Sequence, residues 1–341
     1  MRRPIRVLVV DDSALMRRMI SDMVSSSPDF VVVGTARDGG EAIEKVSRLK
    51  PDVVTLDVEM PRINGIEALT HIMMHNPTPV IMLSALTKEG AEITMKALEL
   101  GAVDFLPKPG GKSISLGIEQ VREELIKKLK AAALSRPRRL LMKQRRPPSA
   151  HIRRLPENSA LVFGASTGGP GTLMDILPAL PEKLPPVFIV QHMPPGFTAS
   201  FASRLNTLTK FEVKEAGDGD VVEPGVGYVA PGDYHMEVRR GRIRLNQQPR
   251  LHGVRPAVDV TMESAARNYG SRTVGVLLTG MGCDGAAGLK KIREAGGRTI
   301  VESEETCVVF GMPKAAIEAG AAEIIAPSYR IAEEIRKVLS G

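Results

Sequence analysis

Between Ile5 and about Lys130, short apolar runs alternate with longer stretches whose apolar residues recur every three to four positions. The runs at 5–10, 30–35, 52–57, 79–83 and 103–106 have the length of strands, and a helix-period stretch follows each. Five β-α units in succession predict an α/β fold, a doubly wound parallel sheet. Beyond about residue 155 the alternation resumes. Apolar runs at 161–163, 187–190 and 273–278 each lead into a turn that contains glycine, and a hairpin is expected around His235. The repeated passage from strand through glycine to helix predicts a second α/β domain, doubly wound, with a mainly parallel sheet.

The stretch between the two patterns is of another kind. Residues 125–156 contain no acid and eleven Lys or Arg, and Pro137, Pro147 and Pro148 interrupt any regular element. Domains are therefore expected at 1–125 and 156–341, joined by a basic linker at 126–155. The formal net charge of +7 is smaller than the contribution of those eleven bases, so the rest of the chain is mildly acidic. Aromatic residues make up 4% with no Trp, which disfavours a stacking platform for single strands, and no nucleic-acid partner is expected. The basic stretch reads as a solvated linker, with contact to a nucleic acid or an acidic surface as the alternative.

No apolar run approaches the roughly 20 residues of a membrane span, and no cleavable signal pattern follows Met1. A cytoplasmic protein, not inserted in a membrane, is expected. Cys283 and Cys307 are too few for a disulfide framework or a four-ligand zinc site. His71 and His75 stand four apart on a predicted helix, but Ile72 rather than Glu follows His71, so a helix surface explains them better than a metal pair.

In doubly wound sheets, ligands bind beyond the carboxyl ends of the strands. In the first domain Asp11 and Asp12 end the first strand, Asp57 ends the third, Ser84 follows the fourth and Lys108 lies after the fifth. Three carboxylates at one sheet edge repel each other unless a hard cation sits between them. This predicts a Mg²⁺-assisted phosphoryl site. Asp57 is the expected nucleophile, Asp11, Asp12 and Asp57 the metal ligands, and Lys108 and Ser84 the partners of the new phosphate. Each residue taken singly could equally be a helix cap or a loop residue.

In the second domain the run 161–163 leads into Gly164-Ala165-Ser166-Thr167-Gly168, the G-x-S-x-G pattern of a nucleophile elbow. A phosphate loop and a plain helix cap are the alternatives. The next runs deliver His192 and Asp284 to strand ends, so a serine, a base and an orienting carboxylate are expected at one edge. Asp284 could instead cap the helix that starts near Gly285. His235 could line a substrate groove, and His252 reads as a loop residue. Cys283 has no base adjacent in sequence, and Cys307 reads as core.

The motifs VVDDS, TLDVEMPRINGIEAL, MLSA and FLPKP resemble those of two-component receiver domains over about the first 120 residues. GASTGGP, QHMPPGFT, YVAPGD, RPAVDV, LLTGMGCDGAAGL and CVVFGMPKAA resemble the chemotaxis response regulators that act as protein-glutamate methylesterase and protein-glutamine glutaminase, the CheB family, over about 155–340. That resemblance implies a triad of Ser166, His192 and Asp284, with the backbone N–H of Met281 as oxyanion donor. It implies γ-methyl glutamate esters of methyl-accepting chemoreceptors as substrate, deamidation of some receptor glutamines, and a chemotaxis histidine kinase as phosphodonor. Mg²⁺ serves phosphorylation, and ester hydrolysis needs no cofactor. One position departs from the family habit, since Val254 rather than His precedes Arg255-Pro256. A receiver joined to a DNA-binding output would instead show a short basic helix-turn-helix after the linker, and about 185 mildly acidic residues stand there.

Overall fold

The computed structural model describes residues 3–108, 118–135 and 158–340. They fall into two compact units, one on each side of Lys143. In the first, strands β1 (Ile5–Val10), β2 (Phe30–Ala36), β3 (Val53–Asp57), β4 (Val80–Ser84) and β5 (Asp104–Pro107) alternate with helices α1 (Ala14–Ser25), α2 (Gly39–Leu49), α3 (Gly65–His75), α4 (Lys88–Glu99) and α5 (Ile118–Leu134). All strand pairs are parallel, in the order β2-β1-β3-β4-β5. Each strand lies within one residue of the run that predicts it. The central strands β3 and β4 are buried at every position, which explains their largely apolar runs: helices cover both faces of a parallel sheet. Helices α1 to α4 start at Ser13, Asp38, Asn64 and Thr87, whose side chains accept backbone N–H groups. Each such cap is worth about 1 kcal/mol.

The linker expected from residue 126 does not begin there, because α5 continues to Leu134. Leu129 and Ala132 are buried. The bases that suggested a solvated segment are paired with acids distant in sequence: Lys128 Nζ lies 2.8 Å from Asp104 Oδ2, and Lys130 Nζ 2.7 Å from Asp29 Oδ2. The remaining linker positions, 136–155, lie outside the described residues.

The second unit contains β6 (Ala160–Ala165), α6 (Gly169–Ile176), β7 (Val187–Gln191), α7 (Phe197–Leu208), β8 (Glu212–Glu215), β9 (Val226–Val229), β10 (His235–Arg239), β11 (Arg242–Asn246), α8 (Val258–Tyr269), β12 (Thr273–Leu277), α9 (Ala286–Glu294), β13 (Arg298–Glu302), α10 (Met312–Glu318), β14 (Ile324–Ala326) and α11 (Ser328–Ser340). The main sheet has seven strands in the order β14-β13-β12-β6-β7-β9-β8, every pair parallel, and β10 and β11 form a separate antiparallel hairpin. Val162 of β6, Phe188 of β7 and Leu277 of β12 pack with Val258 and Met262 of α8 and Leu289 of α9 in one apolar cluster. Each large side chain buried there contributes roughly 1.5–3 kcal/mol. From β6 the chain winds outward through β7, then crosses back to β12 on the other side of β6. The carboxyl ends of β6, β7 and β12 thus meet where the strand order switches.

Candidate active site

Ser166 follows β6 and His192 follows β7, each one residue past the paired Ala165 and Gln191. Register alone therefore sets them side by side. The serine turn is tight: Gly169 N–H donates to the Ser166 carbonyl at 2.8 Å. Gly168 adopts φ +78°, a left-handed conformation that residues with a Cβ avoid. Gln191 ties the two strand ends together, its Nε2 donating to the carbonyls of Ser166 at 3.0 Å and His192 at 3.2 Å.

His192 Nε2 lies 2.8 Å from Asp284 Oδ2. Since a carboxylate only accepts, Nε2 carries hydrogen, and in the neutral ring Nδ1 keeps its lone pair. No hydrogen bond joins Ser166 Oγ to His192 among the described residues, and such contacts commonly tighten only when substrate is bound. Asp284 is almost fully buried. It does cap a helix, but not the one that follows it. Its Oδ2 accepts Val258 N–H at 2.7 Å and its Oδ1 accepts Asp259 N–H at 3.0 Å, so it sits on the amino end of α8. Burial works against its charge, yet the bonds from His192, Val258 and Asp259 outweigh it and hold the carboxyl below its ordinary value. The neighbouring Asp259 goes the other way, pushed up by burial and by the charge of Asp284 against the N–H of Gly288 and the ring of His252. His252, Asp259 and Asp284 offer atoms within 4.8 Å of one another, but the carboxylate oxygens already accept from His192, His252 and backbone N–H groups.

The loop after β12 is clamped against the serine turn. Ser166 N–H donates to the Thr279 carbonyl at 3.0 Å, and Thr279 Oγ1 donates to the Thr167 carbonyl at 2.9 Å. The fully buried Glu302 accepts Thr279 N–H at 2.8 Å. A Cβ on Gly280 would come within 2.9 Å of Ser166 Cβ, so only glycine lets the loop approach this closely. The next residue is Met281, and its N–H has no acceptor among the described residues. Glu302 and Gln191 escape sequence reading: Glu302 is one acid at a strand end, and Gln191 stands in a quoted motif without a role of its own.

The other candidates resolve differently. His235 does not line a groove. It is buried, with Nδ1 accepting Ala257 N–H at 3.2 Å and Nε2 donating to the Pro249 carbonyl at 3.2 Å. His71 and His75 lie exposed on α3 with ring centroids 4.4 Å apart. Cys307 is half-buried in the turn after β13 rather than in the core.

In the first unit Asp11, Asp12 and Asp57 offer oxygens within 4.8 Å of one another. Lys108 Nζ donates to Asp57 Oδ2 at 2.6 Å. It also lies 3.0 Å from Asp11 Oδ2, but outside hydrogen-bond geometry, so that buried oxygen has no donor among the described residues. Burial pushes the Asp57 carboxyl up to about 6, with Lys108 opposing and Asp11 adding to the rise. An orphaned oxygen and a mutually repelling carboxylate set fit a hard divalent cation. Ser84 Oγ is fully buried and donates to the carbonyl of Gly90 at 3.1 Å rather than to Asp57.

Comparison with known proteins separates the same two parts. A response regulator receiver domain model matches residues 7–115, and a CheB methylesterase model matches 161–335. A protein-glutamate methylesterase/protein-glutamine glutaminase of Pyrococcus horikoshii is 53% identical over 99% of this chain and 95% of its own length. One from Thermotoga maritima is 51% identical over 98% of each chain. The crystal structure of the Thermotoga maritima CheB methylesterase catalytic domain, 48% identical, superposes with a TM-score of 0.51 over 52% of this chain and 97% of that one. No helix among the described residues is long and apolar enough to cross a membrane. A match over the half of the chain that holds Ser166, His192 and Asp284, with full-length relatives about half identical to it, makes this chain a member of the CheB methylesterase family with a receiver domain at its amino-terminal side.

Proposed function

We infer that this chain is a phosphorylation-regulated serine esterase that hydrolyses γ-methyl glutamate esters of chemoreceptors and deamidates some of their glutamines. The observation that carries this reading is the 2.8 Å bond from His192 Nε2 to the buried, helix-capping Asp284, on the strand next to Ser166. In this mechanism His192 Nδ1 takes the hydroxyl proton as Ser166 Oγ attacks the γ-carbonyl carbon. The Met281 N–H receives the developing oxyanion, and Asp284 stabilises the imidazolium through Nε2. His192 then protonates the leaving group, which departs as methanol from an ester or as ammonia from a glutamine. Water attacks the glutamyl-serine ester by the same steps and frees Ser166.

In the receiver, Asp57 is the proposed phosphoryl acceptor, with a chemotaxis histidine kinase as donor. Asp11, Asp12 and Asp57 would hold Mg²⁺, which when bound supplies positive charge to the transferred phosphoryl group. Lys108, which donates to Asp57, would pair with the new phosphate oxygens, and Ser84 would join only if its Oγ left the Gly90 carbonyl. The test is methanol release from methylated receptor membranes by the full chain, with and without a small-molecule phosphodonor and Mg²⁺. The wild type releases methanol, faster with phosphodonor. Near-normal release by Ser166→Ala would overturn the reading.

A further inference from the structure

Outside the ester-hydrolysing groups, one more nucleophile meets a base. Cys283, exposed on the loop between Met281 and Asp284, places Sγ 3.7 Å from Nδ1 of His252. Nε2 of that ring is 2.9 Å from Oδ2 of Asp259, whose Oδ1 accepts Gly288 N–H at 2.6 Å. Asp259 is 2% exposed, so the carboxylate cannot turn away. Because it only accepts, Nε2 carries hydrogen, and Nδ1 of the neutral ring presents its lone pair to the thiol. Thiol, imidazole and carboxylate thus stand in the order of an activated cysteine. His252 is held at φ +54°, a left-handed conformation that non-glycine residues seldom adopt. Cys307 is the contrast within the same chain. Its thiol donates to the Glu302 carbonyl, and burial and the neighbouring Glu302 push it far up, which keeps it inert.

We propose that Cys283 is a modification site, a thiol that reacts with peroxides and small soft electrophiles, and that its modification stops ester hydrolysis. With hydrogen peroxide, His252 Nδ1 takes the S–H proton and a sulfur electron pair attacks one peroxide oxygen. The S–O bond forms as the O–O bond breaks, and the departing hydroxide takes the proton from His252 to leave as water. Sulfur is oxidised to sulfenic acid and the peroxide is reduced. The coupling to hydrolysis follows from chain position, since Cys283 adjoins Asp284 and lies two residues from the Met281 N–H. An oxygen on Sγ displaces the His252 contact and moves the loop that carries both.

The thiol chemistry is tested apart from hydrolysis, so that failure of one reading does not obscure the other. The full chain is treated with iodoacetamide at neutral pH, and labelling of Cys283 and Cys307 is followed by mass spectrometry of peptides. A free thiol is only a few per cent thiolate at that pH, so Cys283 should label about tenfold faster in the wild type than in His252→Gln, with Cys307 slowest. Equal rates at Cys283 in the two chains overturn the proposal. Should His252→Gln fail to fold, a wild-type Cys283 no faster than N-acetylcysteine amide overturns it as well. The coupling rests on the esterase reading and has its own arm. Peroxide should lower methanol release by the wild type, dithiothreitol should restore it, and Cys283→Ala should stay active throughout. Equal loss in Cys283→Ala would place the oxidation elsewhere, for instance at the exposed Met281, and overturn the coupling.

Discussion

Asp284→Asn isolates what the buried charge does, because the amide matches the carboxylate in shape. Two orientations are open to it. With the amide nitrogen in place of Oδ2, an NH₂ group faces both the ring Nε2–H and Val258 N–H, and the bond to His192 is lost. With the nitrogen in place of Oδ1, the carbonyl keeps His192 and Val258 and only Asp259 N–H faces a donor. The second orientation should prevail at a stability cost of about 1–3 kcal/mol for one unsatisfied buried group. It preserves the ring tautomer but removes the charge opposite the imidazolium. At a charge separation of about 4 Å and an effective dielectric constant of about 20, that charge is worth about 4 kcal/mol, or roughly a thousandfold in rate. The assay is initial methanol release from methylated receptor membranes at saturating substrate, alongside urea unfolding. A folded Asp284→Asn chain within about tenfold of wild type would refute the argument that the charge, rather than the hydrogen bond, carries the effect. Unfolding also gives a pH signature. The wild-type carboxyl is held below its ordinary 3.8, so its stabilising contribution is complete above that value and is lost as pH falls through the lower folded value. Asp284→Asn should lack that decline on the acid side.

Ser166→Ala and His192→Ala should each abolish most receptor methanol release, and the double variant should be no slower than either single one, since the two act as a unit. Glu302→Ala removes acceptors from Thr279 N–H and Thr306 Oγ1 in a fully buried place. It should cost about 2–4 kcal/mol in urea unfolding and slow hydrolysis through displacement of the Met281 loop, whereas a change in neither would leave Glu302 without the positioning role assigned here. Asp57→Asn should abolish the response of hydrolysis to phosphodonor and Mg²⁺ while basal hydrolysis persists, which a phosphodonor titration checks. A chain beginning near residue 158 should hydrolyse receptor ester without phosphodonor at least as fast as the unphosphorylated full chain. A slower fragment would mean that the receiver is required for activity rather than restraining it.

The strands were legible in sequence because a parallel strand covered on both faces is a near-continuous apolar run, and that signal is local. The positions of Ser166, His192, Asp57 and Lys108 were legible for the same reason, since each ends such a run or lies within three residues of its end. What the tertiary structure decided depends on groups distant in sequence. Asp284 reads locally as a cap for the helix beginning at Ala286, yet packing gives it to Val258 and Asp259, and to a histidine 92 positions away. The basic stretch near residue 130 reads as linker because composition cannot show that Lys128 and Lys130 lie beside Asp104 and Asp29. Cys283 has no base near it in sequence, and only the fold brings His252 to it from a loop 31 residues away. Local pattern determines where a strand ends and what stands there. Which strand ends become neighbours, and which way a buried carboxyl is shifted, follows from long-range packing and from the donors that packing supplies.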